Sequence, residues 1–218
     1  MQVELCDMKK FLDKYIKEDM KFDKLTKLGI FALIVVISGV FGWIYEFIFY
    51  FFNSNMKYFY YRGGNFLPWI NIYAIGALAI YFFAYKYRKS PLKVFLISAV
   101  TTGVLEFIAG WGMYTFFDHF RCWDYNTEIL SYGSIGGFVC IRSVLFFGLS
   151  SLLLIYGIVP ICYYIASKMN KKLFLIISFS ICFIFLFDEI YNLVIARIIN
   201  TPRASDIYKK IGFKYMDF

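Results

Sequence analysis

The fold is decided by residues 28–52, which read LGIFALIVVISGVFGWIYEFIFYFF and contain one charged side chain, Glu46. A helix of about 20 mostly apolar residues is long enough to cross the hydrocarbon core of a bilayer. Four further stretches are comparably apolar: residues 67–85, 92–117, 143–167 and 173–197. We therefore predict about five transmembrane helices, since a lipid-spanning barrel would show alternating segments of roughly 10 residues instead.

The composition of the whole chain favours the same class. Of its 218 residues, 61% are apolar and 23% aromatic, and the mean hydropathy is +0.63. A soluble domain is about 45–50% apolar, and a disordered chain has few aromatic residues, so both classes are excluded. The predicted fold class is all-α, a polytopic transmembrane helical bundle. The net charge is +8, and the basic residues lie between the apolar runs. This placement favours the lipid bilayer and not nucleic acid as the partner.

The basic residues of the loops predict an orientation. The segment before Leu28, the 86–93 region and the 168–172 loop hold fourteen Lys and Arg residues, whereas the loops of the other side hold four. Cytoplasmic loops are richer in Lys and Arg, so we expect a multi-pass protein of the cell membrane with a cytoplasmic N-terminus. Five spans place the basic tail outside, against this rule. Either the tail is an external interfacial helix, or residues 129–141 hide another crossing.

The segments outside the spans complete the predicted organisation. Residues 1–27 contain apolar side chains at helical spacing, which predicts an amphipathic interfacial helix on the cytoplasmic face. This helix either anchors the bundle or docks a cytoplasmic partner. Residues 28–197 form the predicted five-helix transmembrane domain, and residues 198–218 form a C-terminal tail.

Four acidic side chains lie inside the predicted spans: Glu46, Glu106, Asp188 and Glu189. An ionisable residue inside a membrane is expensive to bury and is by default a candidate functional group. Glu46, Glu106 and Asp188 all lie between the midplane and the outer surface of their spans. The carboxylates either fix helix register by pairing with Arg62 or Arg142, or they line an outward-facing polar cavity. Both interpretations stay open.

Helical spacing places Glu46 and Glu106 on stripes of small and aromatic residues. Trp43 and Tyr50 share a face with Glu46, while Gly103 and Gly110 share a face with Glu106. Such stripes are typical of an interhelical surface, because small residues let helices approach closely.

The two predicted outer loops, 53–66 and 118–142, supply further polar and aromatic candidates. Glycines at 133, 136 and 137 would permit a turn or a re-entrant stretch. The complete set of predicted ligand-binding residues is Glu46, Arg62, Glu106, Arg121, Trp123, Asp124, Tyr125, Arg142 and Asp188. The cysteines show no metal-ligand spacing, so no metal or cofactor is predicted, and a disulfide between Cys122 and Cys140 is left open.

A short internal match suggests a duplication. Glu46-Phe47-Ile48 recurs as Glu106-Phe107-Ile108, and Arg62 and Arg121 follow their respective glutamates by similar intervals. The first and second pairs of spans are therefore either parallel repeats of one helical hairpin or a coincidence.

Several motifs resemble those of a known family, the putative type IV ABC transporter permease-like membrane proteins. The matching motifs are Gly42-Trp43-Ile44-Tyr45-Glu46, Arg62-Gly63, Asn71-Ile72-Tyr73-Ala74-Ile75-Gly76, Glu106 with Gly110, Trp123-Asp124-Tyr125, and Gly136-Gly137 ahead of Gly148. The sequence departs from the family pattern at Asn65-Phe66-Leu67-Pro68. The resemblance implies a role in transport. Because the chain has no G-x-x-x-x-G-K-[ST] phosphate loop, any ATPase would be a separate cytoplasmic subunit.

Three functions from different classes follow. The leading hypothesis is a permease-like or substrate-binding membrane protein that holds a small polar or ionic ligand, alone or as a homo-oligomer. The second is an intramembrane enzyme that acts on lipid head-groups, with a glutamate as general base. The spans lack histidine and contain no nucleophile motif, so catalysis is the weaker hypothesis. The third is a non-catalytic membrane scaffold whose buried charges only hold helices together.

Overall fold

The computed structural model describes residues 11–53, 61–116, 118–119, 121, 123–128 and 130–213. The helices in these ranges are α1 (11–17), α2 (Lys24–Asn53), α3 (Asn71–Ala84), α4 (Pro91–Phe116), α5 (Ile141–Leu153), α6 (Val159–Lys168), α7 (Lys171–Ile190), α8 (Ala196–Ile198) and α9 (Ala204–Lys210). Turns of π-helix at Leu154–Ile158 and Tyr191–Ile195 join α5 to α6 and α7 to α8. The described residues contain no β-strand, so the predicted all-α class is confirmed.

The number of long helices agrees with a polytopic membrane protein of about five spans. Within the described ranges, four helices are long and apolar enough to cross a membrane: Lys24–Phe52, Pro91–Phe116, Ile141–Lys168 and Lys171–Ile198. The predicted second span, 67–85, forms the shorter helix α3, which a 3₁₀ turn extends to Tyr87. This helix begins at Asn71 and not at Leu67. Pro68 disfavours a helical conformation at Leu67, the residue before it. The Ile70 N–H bonds to the Gly39 carbonyl outside α3.

The chain divides into two compact units. Unit A comprises the described residues of Met1–Asp19 and Gly76–Pro160, and unit B comprises those of Met20–Ile75 and Ile161–Asp217. Many large apolar side chains on the long helices of both units are exposed, among them Val100 on α4 and Phe183 on α7. An exposed apolar surface of this extent is covered by lipid in a membrane protein.

In unit A, α4 and α5 pack as an antiparallel pair. A Cβ atom at Gly103 would lie 3.0 Å from a methyl group of Val144, and one at Gly148 would lie 2.7 Å from the Phe95 ring. The two contacts run in opposite directions along the two helices. Small residues at these positions therefore allow the close helix approach that the sequence predicted.

The N-terminal helix α1 is held on unit A by two buried side chains. The Tyr15 hydroxyl, 0% exposed, donates to the Ile155 carbonyl at 2.7 Å. The Arg88 guanidinium donates to the carbonyls of Tyr15 and Glu18 at 2.8 Å each. A cation that binds the last carbonyls of a helix also complements the helix dipole. These contacts belong to residues 15–18 of the predicted amphipathic segment, whose residues 1–10 lie outside the described ranges, and its two alternative roles stay predictions.

The Ile155 carbonyl accepts this hydrogen bond because its helix leaves it without a donor. In the π-turn, the Val159 N–H bonds to the carbonyl five residues earlier, at Leu154. In that register the next donor, for Ile155, would be the N–H of residue 160. Residue 160 is a proline and has no N–H, so Tyr15 fills the gap.

In unit B, α2 and α7 pack in parallel. A Cβ atom at Gly29 would lie 2.8 Å from the Phe174 ring, and one at Gly39 would lie 3.0 Å from the Phe185 ring. Phe185 and Trp69 form part of a small apolar core at this level, with ring centroids 5.2 Å apart. The parallel direction agrees with the prediction that the first and fifth spans run the same way.

The C-terminal tail contains a short helix, α9. At the start of this helix, the backbone N–H of Arg203 donates to the Asp206 carboxylate. The Tyr208 hydroxyl donates to the Phe66 carbonyl at 2.8 Å. The backbone N–H of Ala204 donates to the Asn192 side chain at 2.7 Å. The tail is therefore tied to the 61–70 loop and to the end of α7 within unit B.

Candidate functional site

In unit A, Glu106 lies on the buried face of α4, as the stripe of Gly103 and Gly110 predicted. Its side chain is 8% exposed. The Tyr125 hydroxyl donates to Glu106 Oε1 at 2.5 Å, whereas Oε2 has no hydrogen-bonding partner among the described residues. Ser143 lies beside this carboxylate, but its hydroxyl donates to the Cys140 carbonyl at 2.9 Å. One buried carboxylate oxygen is thus left without a donor.

Tyr125 is positioned by the loop that follows α4. Its backbone N–H donates to the Gly137 carbonyl at 3.0 Å, and Trp123 Nε1 donates to the Phe138 carbonyl at 2.9 Å. Gly137 has a φ of +80°, and a Cβ atom there would lie 2.3 Å from Asp124. Glycine is therefore required at this point, and the predicted turn in this segment is found.

The Tyr125 hydroxyl is a stable donor. Burial raises the pKa of Tyr125, and the neighbouring Glu106 carboxylate raises it further. Because the phenol stays protonated, it is uncharged and its O–H group donates to the Glu106 carboxylate.

The two arginines of this region are paired with other acids. Arg142 forms an ion pair with Glu128 at 2.5 Å and lies over the Tyr125 ring, 5.4 Å from its centroid. Arg121 lies 3.5 Å from Asp124 and donates to the Gly136 carbonyl at 3.0 Å. The alternative in which Arg142 pairs directly with Glu106 is therefore not found. Together these residues form the Glu106 site, which comprises Glu106, Tyr125, Glu128, Arg142 and Ser143.

Cys140 ends this loop as a free thiol. Its Sγ accepts a hydrogen bond from the Ser143 N–H at the start of α5. The disulfide that the sequence left open needs Cys122, which lies outside the described residues.

In unit B, Glu46 and Arg62 form the ion pair that was considered for them. Arg62 Nε lies 2.6 Å from Glu46 Oε2, and the Tyr73 hydroxyl donates to Glu46 Oε1 at 3.2 Å. The Arg62 guanidinium also lies 4.3 Å from the centroid of the Tyr50 ring. Burial alone would lower the pKa of Arg62, but the Glu46 charge and further neighbours raise it overall, so Arg62 stays protonated. A Cβ atom at Gly42 would lie 2.1 Å from the Tyr73 ring, which explains glycine there.

Asp188 and Glu189 hold the 61–70 loop. Asp188 accepts hydrogen bonds from the backbone N–H groups of Phe66 and Leu67, at 3.0 and 2.9 Å. Glu189 accepts from the side-chain amides of Asn65 and Asn71, at 2.7 and 3.0 Å. All four oxygens of these buried acids therefore have donors from the protein itself.

The structure thus assigns the nine predicted residues to several local groups. Glu106, Tyr125 and Arg142 adjoin in unit A, next to the paired Arg121 and Asp124 and the anchored Trp123. Glu46 and Arg62 adjoin in unit B, where Asp188 bonds to the loop backbone. Sequence reasoning missed the partners of these groups: Asn65, Asn71, Tyr73, Glu128, Ser143 and the loop role of Glu189. Some of these carried a signal in the sequence: Asn71 and Tyr73 lie in a motif that matches the family, and Asn65 stands where the sequence departs from the family pattern.

Among the described residues, no group of three or more His, Cys, Asp or Glu side chains has the geometry of a metal site. The Glu106 site can instead accept hydrogen bonds or a positive charge at Oε2. The arginines of the region are already engaged by Glu128 and Asp124.

Comparison with known proteins identifies the family. The family described as "Putative ABC-transporter type IV" matches residues 33–193, about three quarters of the chain. The match includes both glutamate stripes, the 61–70 loop and the loop that carries Tyr125. No curated protein and no solved structure matches the chain. The helical architecture and the extent of the match lead to one conclusion: the protein is a membrane transporter-like protein and belongs to the Putative ABC-transporter type IV family.

Proposed function

We propose that this chain is the membrane-embedded, permease-like or substrate-binding subunit of a transporter, and that it holds a small polar or ionic ligand at the Glu106 site. The family supports the general role. The Glu106 site favours the binding of a ligand, because a buried carboxylate lies there beside aromatic and basic side chains.

The observation that carries the proposal is the unpartnered Oε2 of Glu106. Placing an acidic side chain at the centre of a membrane helix costs on the order of 3 kcal/mol. A residue that served only to fix helix register would recover part of this free energy through donors to both oxygens, as Asp188 and Glu189 do. Glu106 has a donor on one oxygen alone, which favours a role towards a group that is not part of the chain.

The other residues of the site have distinct roles in the proposal. Tyr125 fixes the carboxylate through Oε1 and leaves Oε2 for the ligand. Arg142, paired with Glu128, packs against the Tyr125 ring. Trp123 and the pair of Arg121 and Asp124 close the loop over the end of α4. In unit B, Glu46, Arg62 and Asp188 hold the 61–70 loop and provide a second place for polar contacts.

A ligand screen tests the site. The purified full-length chain is heated in detergent with a panel of amines, amino acids, polyols and small carboxylates, and the shift in Tm is recorded. We expect at least one class of solute to raise the Tm of the wild-type chain and of Glu18→Gln, a matched control at an exposed position. Glu106→Gln should abolish that shift. Equal shifts in Glu106→Gln, or no shift from any solute, would contradict the proposed site.

The proposed ATPase partner needs a separate test. We expect a cytoplasmic nucleotide-hydrolysing subunit to copurify with the full-length chain from native membranes in a fixed ratio. The expectation follows from the family and from the lack of a phosphate loop in the sequence. Copurification of an unrelated membrane complex, or turnover of lipid by the chain in vesicles, would favour the scaffold or the enzyme instead.

A further inference from the structure

We propose that the ligand of the Glu106 site supplies a single positive charge. The inference rests on the proposed function, since it names the chemical class of the group that Glu106 Oε2 binds. The same positive charge has two sources: a small dissolved cation, either the sodium or the ammonium ion, and a proton. The test below distinguishes them.

In this region the acidic side chains outnumber the basic ones by one. Among the described residues, the buried and half-buried acids of this group are Glu106, Asp124 and Glu128, and the bases are Arg121 and Arg142. The distances pair Arg142 with Glu128 and Arg121 with Asp124. Glu106 keeps the neutral phenol of Tyr125 as its hydrogen-bond donor, and the Arg142 charge, which Glu128 already pairs, acts on Glu106 without a direct ion pair. A carboxylate in a low-dielectric surrounding is costly unless an opposite charge compensates it.

The nearby helix terminus reduces this imbalance without cancelling it. Ser143 and Cys140 lie at the start of α5, next to Glu106. The N-terminus of a helix carries roughly half of an elementary positive charge, and part of that effect is lost where the first N–H groups have partners. The Ser143 N–H is used by the Cys140 sulfur. A deficit of positive charge remains at Oε2.

The buried face of α4 next to Glu106 is lined by oxygen atoms. Thr102 and Ser98 lie one and two turns before Glu106 on the same face, and both are buried. Thr102 Oγ1 donates to the Ser98 carbonyl at 2.7 Å, which leaves its lone pairs as acceptors. The Ser98 hydroxyl has no hydrogen-bonding partner among the described residues. With a rise of about 1.5 Å per residue, Ser98 lies about 12 Å along the helix from Glu106, so Thr102 is the nearer of the two oxygen acceptors to a group bound at Oε2.

An anionic or neutral ligand fits this arrangement less well. An anion would meet the Glu106 charge at short range, while Arg142 and Arg121 are held by their own acids. A neutral ligand could donate a hydrogen bond to Oε2 but would leave the charge in place. The groups that face Glu106 from the neighbouring elements are Tyr125 and Glu128 of the loop and Arg142 and Ser143 of α5.

The test compares the purified full-length wild-type chain with Glu106→Gln and with the exposed control Glu18→Gln. In the first arm, sodium or ammonium chloride replaces N-methylglucamine chloride at equal ionic strength. We expect the Tm of the wild type and the control to rise by about 2–4 °C or more, the shift for a chain of this size when the cation is several-fold above its Kd. The rise should be absent in Glu106→Gln.

In the second arm, the pH is lowered in N-methylglucamine chloride alone. A proton as the source predicts that the wild type and the control gain stability relative to Glu106→Gln as the pH falls, with no response to sodium or ammonium. Either pattern supports the inference and names the source. If Glu106→Gln does not fold, Glu106→Asp keeps the charge and must keep the response of the wild type.

Two results would overturn the inference. The wild type could show no response to sodium, ammonium or pH that differs from Glu106→Gln, while only the polyols or carboxylates of the ligand screen bind in a Glu106-dependent way. The proposed function would then stand and the positive charge would be wrong. A Glu106→Gln chain that matches the wild type in both arms and in the ligand screen would remove the inference and the proposed site together.

Discussion

Replacement of Tyr15 by phenylalanine tests how the N-terminal helix is fixed on unit A. The substitution removes one hydroxyl group and keeps the ring, which lies 5.9 Å from the Tyr85 ring between centroids. The hydroxyl donates to the Ile155 carbonyl at 2.7 Å. That carbonyl has no donor from its own helix because residue 160 is a proline. The substitution therefore leaves a buried acceptor empty.

The magnitude follows from the alternatives open to the carbonyl. A buried polar group that loses its partner costs about 1–3 kcal/mol, whereas hydrogen bonds between membrane helices average about 0.6 kcal/mol and reach about 1.7. The average is low because a polar group that loses one hydrogen bond usually finds another partner. Ile155 has no other helical donor, so we expect about 1–2 kcal/mol. At about 2–4 °C per kcal/mol for a chain of this size, the Tm should fall by roughly 2–8 °C.

The assay is thermal unfolding of the purified full-length chain in detergent, with Tyr132→Phe as a matched control at an exposed tyrosine. A double-mutant cycle adds Pro160→Ala, which supplies an N–H that can reach the Ile155 carbonyl. We expect the effect of Tyr15→Phe to be smaller in the Pro160→Ala background. A Tm for Tyr15→Phe equal to that of the control, or strict additivity with Pro160→Ala, would refute the explanation of the π-turn.

Three further predictions concern unit B. Gly42→Ala should destabilise the chain by about 1–3 kcal/mol or more in thermal unfolding, because the new Cβ would lie 2.1 Å from the Tyr73 ring; an unchanged Tm would contradict the close contact. Asp188→Ala should cost about 1–3 kcal/mol for each of the two loop N–H groups that lose their acceptor, and protease cleavage within the 61–70 loop should become faster; an uncut loop would argue against its role. The Thr26 hydroxyl, with other donors, holds the pKa of Asp23 below its ordinary value of 3.8, so the stabilisation by Asp23 is complete above about pH 4 and is lost as the pH falls further. Asp23→Asn should therefore flatten the acid side of the stability profile, and a profile that keeps the slope of the wild type would contradict this.

The helical membrane class was predictable because it depends on local composition. The apolar run around Glu46 fixes a long helix whatever its neighbours are. Helix ends depend on more than composition. The predicted second span began at Leu67, but Pro68 and the contact of Ile70 with Gly39 keep residues 67–70 out of the helix. Trp69, which the sequence placed in the second span, is buried in a loop, where it packs against Phe185.

The stripes that carry Glu46 and Glu106 were also predictable, since helical spacing decides which residues share a face. The partners of the charges were not. Glu128 pairs with Arg142 across 14 residues of irregular chain, and no periodicity relates such positions. Asn65 and Glu189 meet across 124 residues. Only the tertiary fold determines these contacts, so the sequence identified the charges without identifying which of them were already compensated.

The central claim is that Glu106 binds a group from outside the chain through Oε2. An electron cryo-microscopy map of the full-length chain in lipid nanodiscs tests it directly. With the solute that raises the Tm in the ligand screen present, we expect non-protein density within hydrogen-bonding distance of Glu106 Oε2 in the wild type, and its loss in Glu106→Gln with Tyr125 unmoved. A Glu106 side chain that faces lipid, or an Oε2 that is hydrogen-bonded to a donor of the chain itself, would contradict the claim.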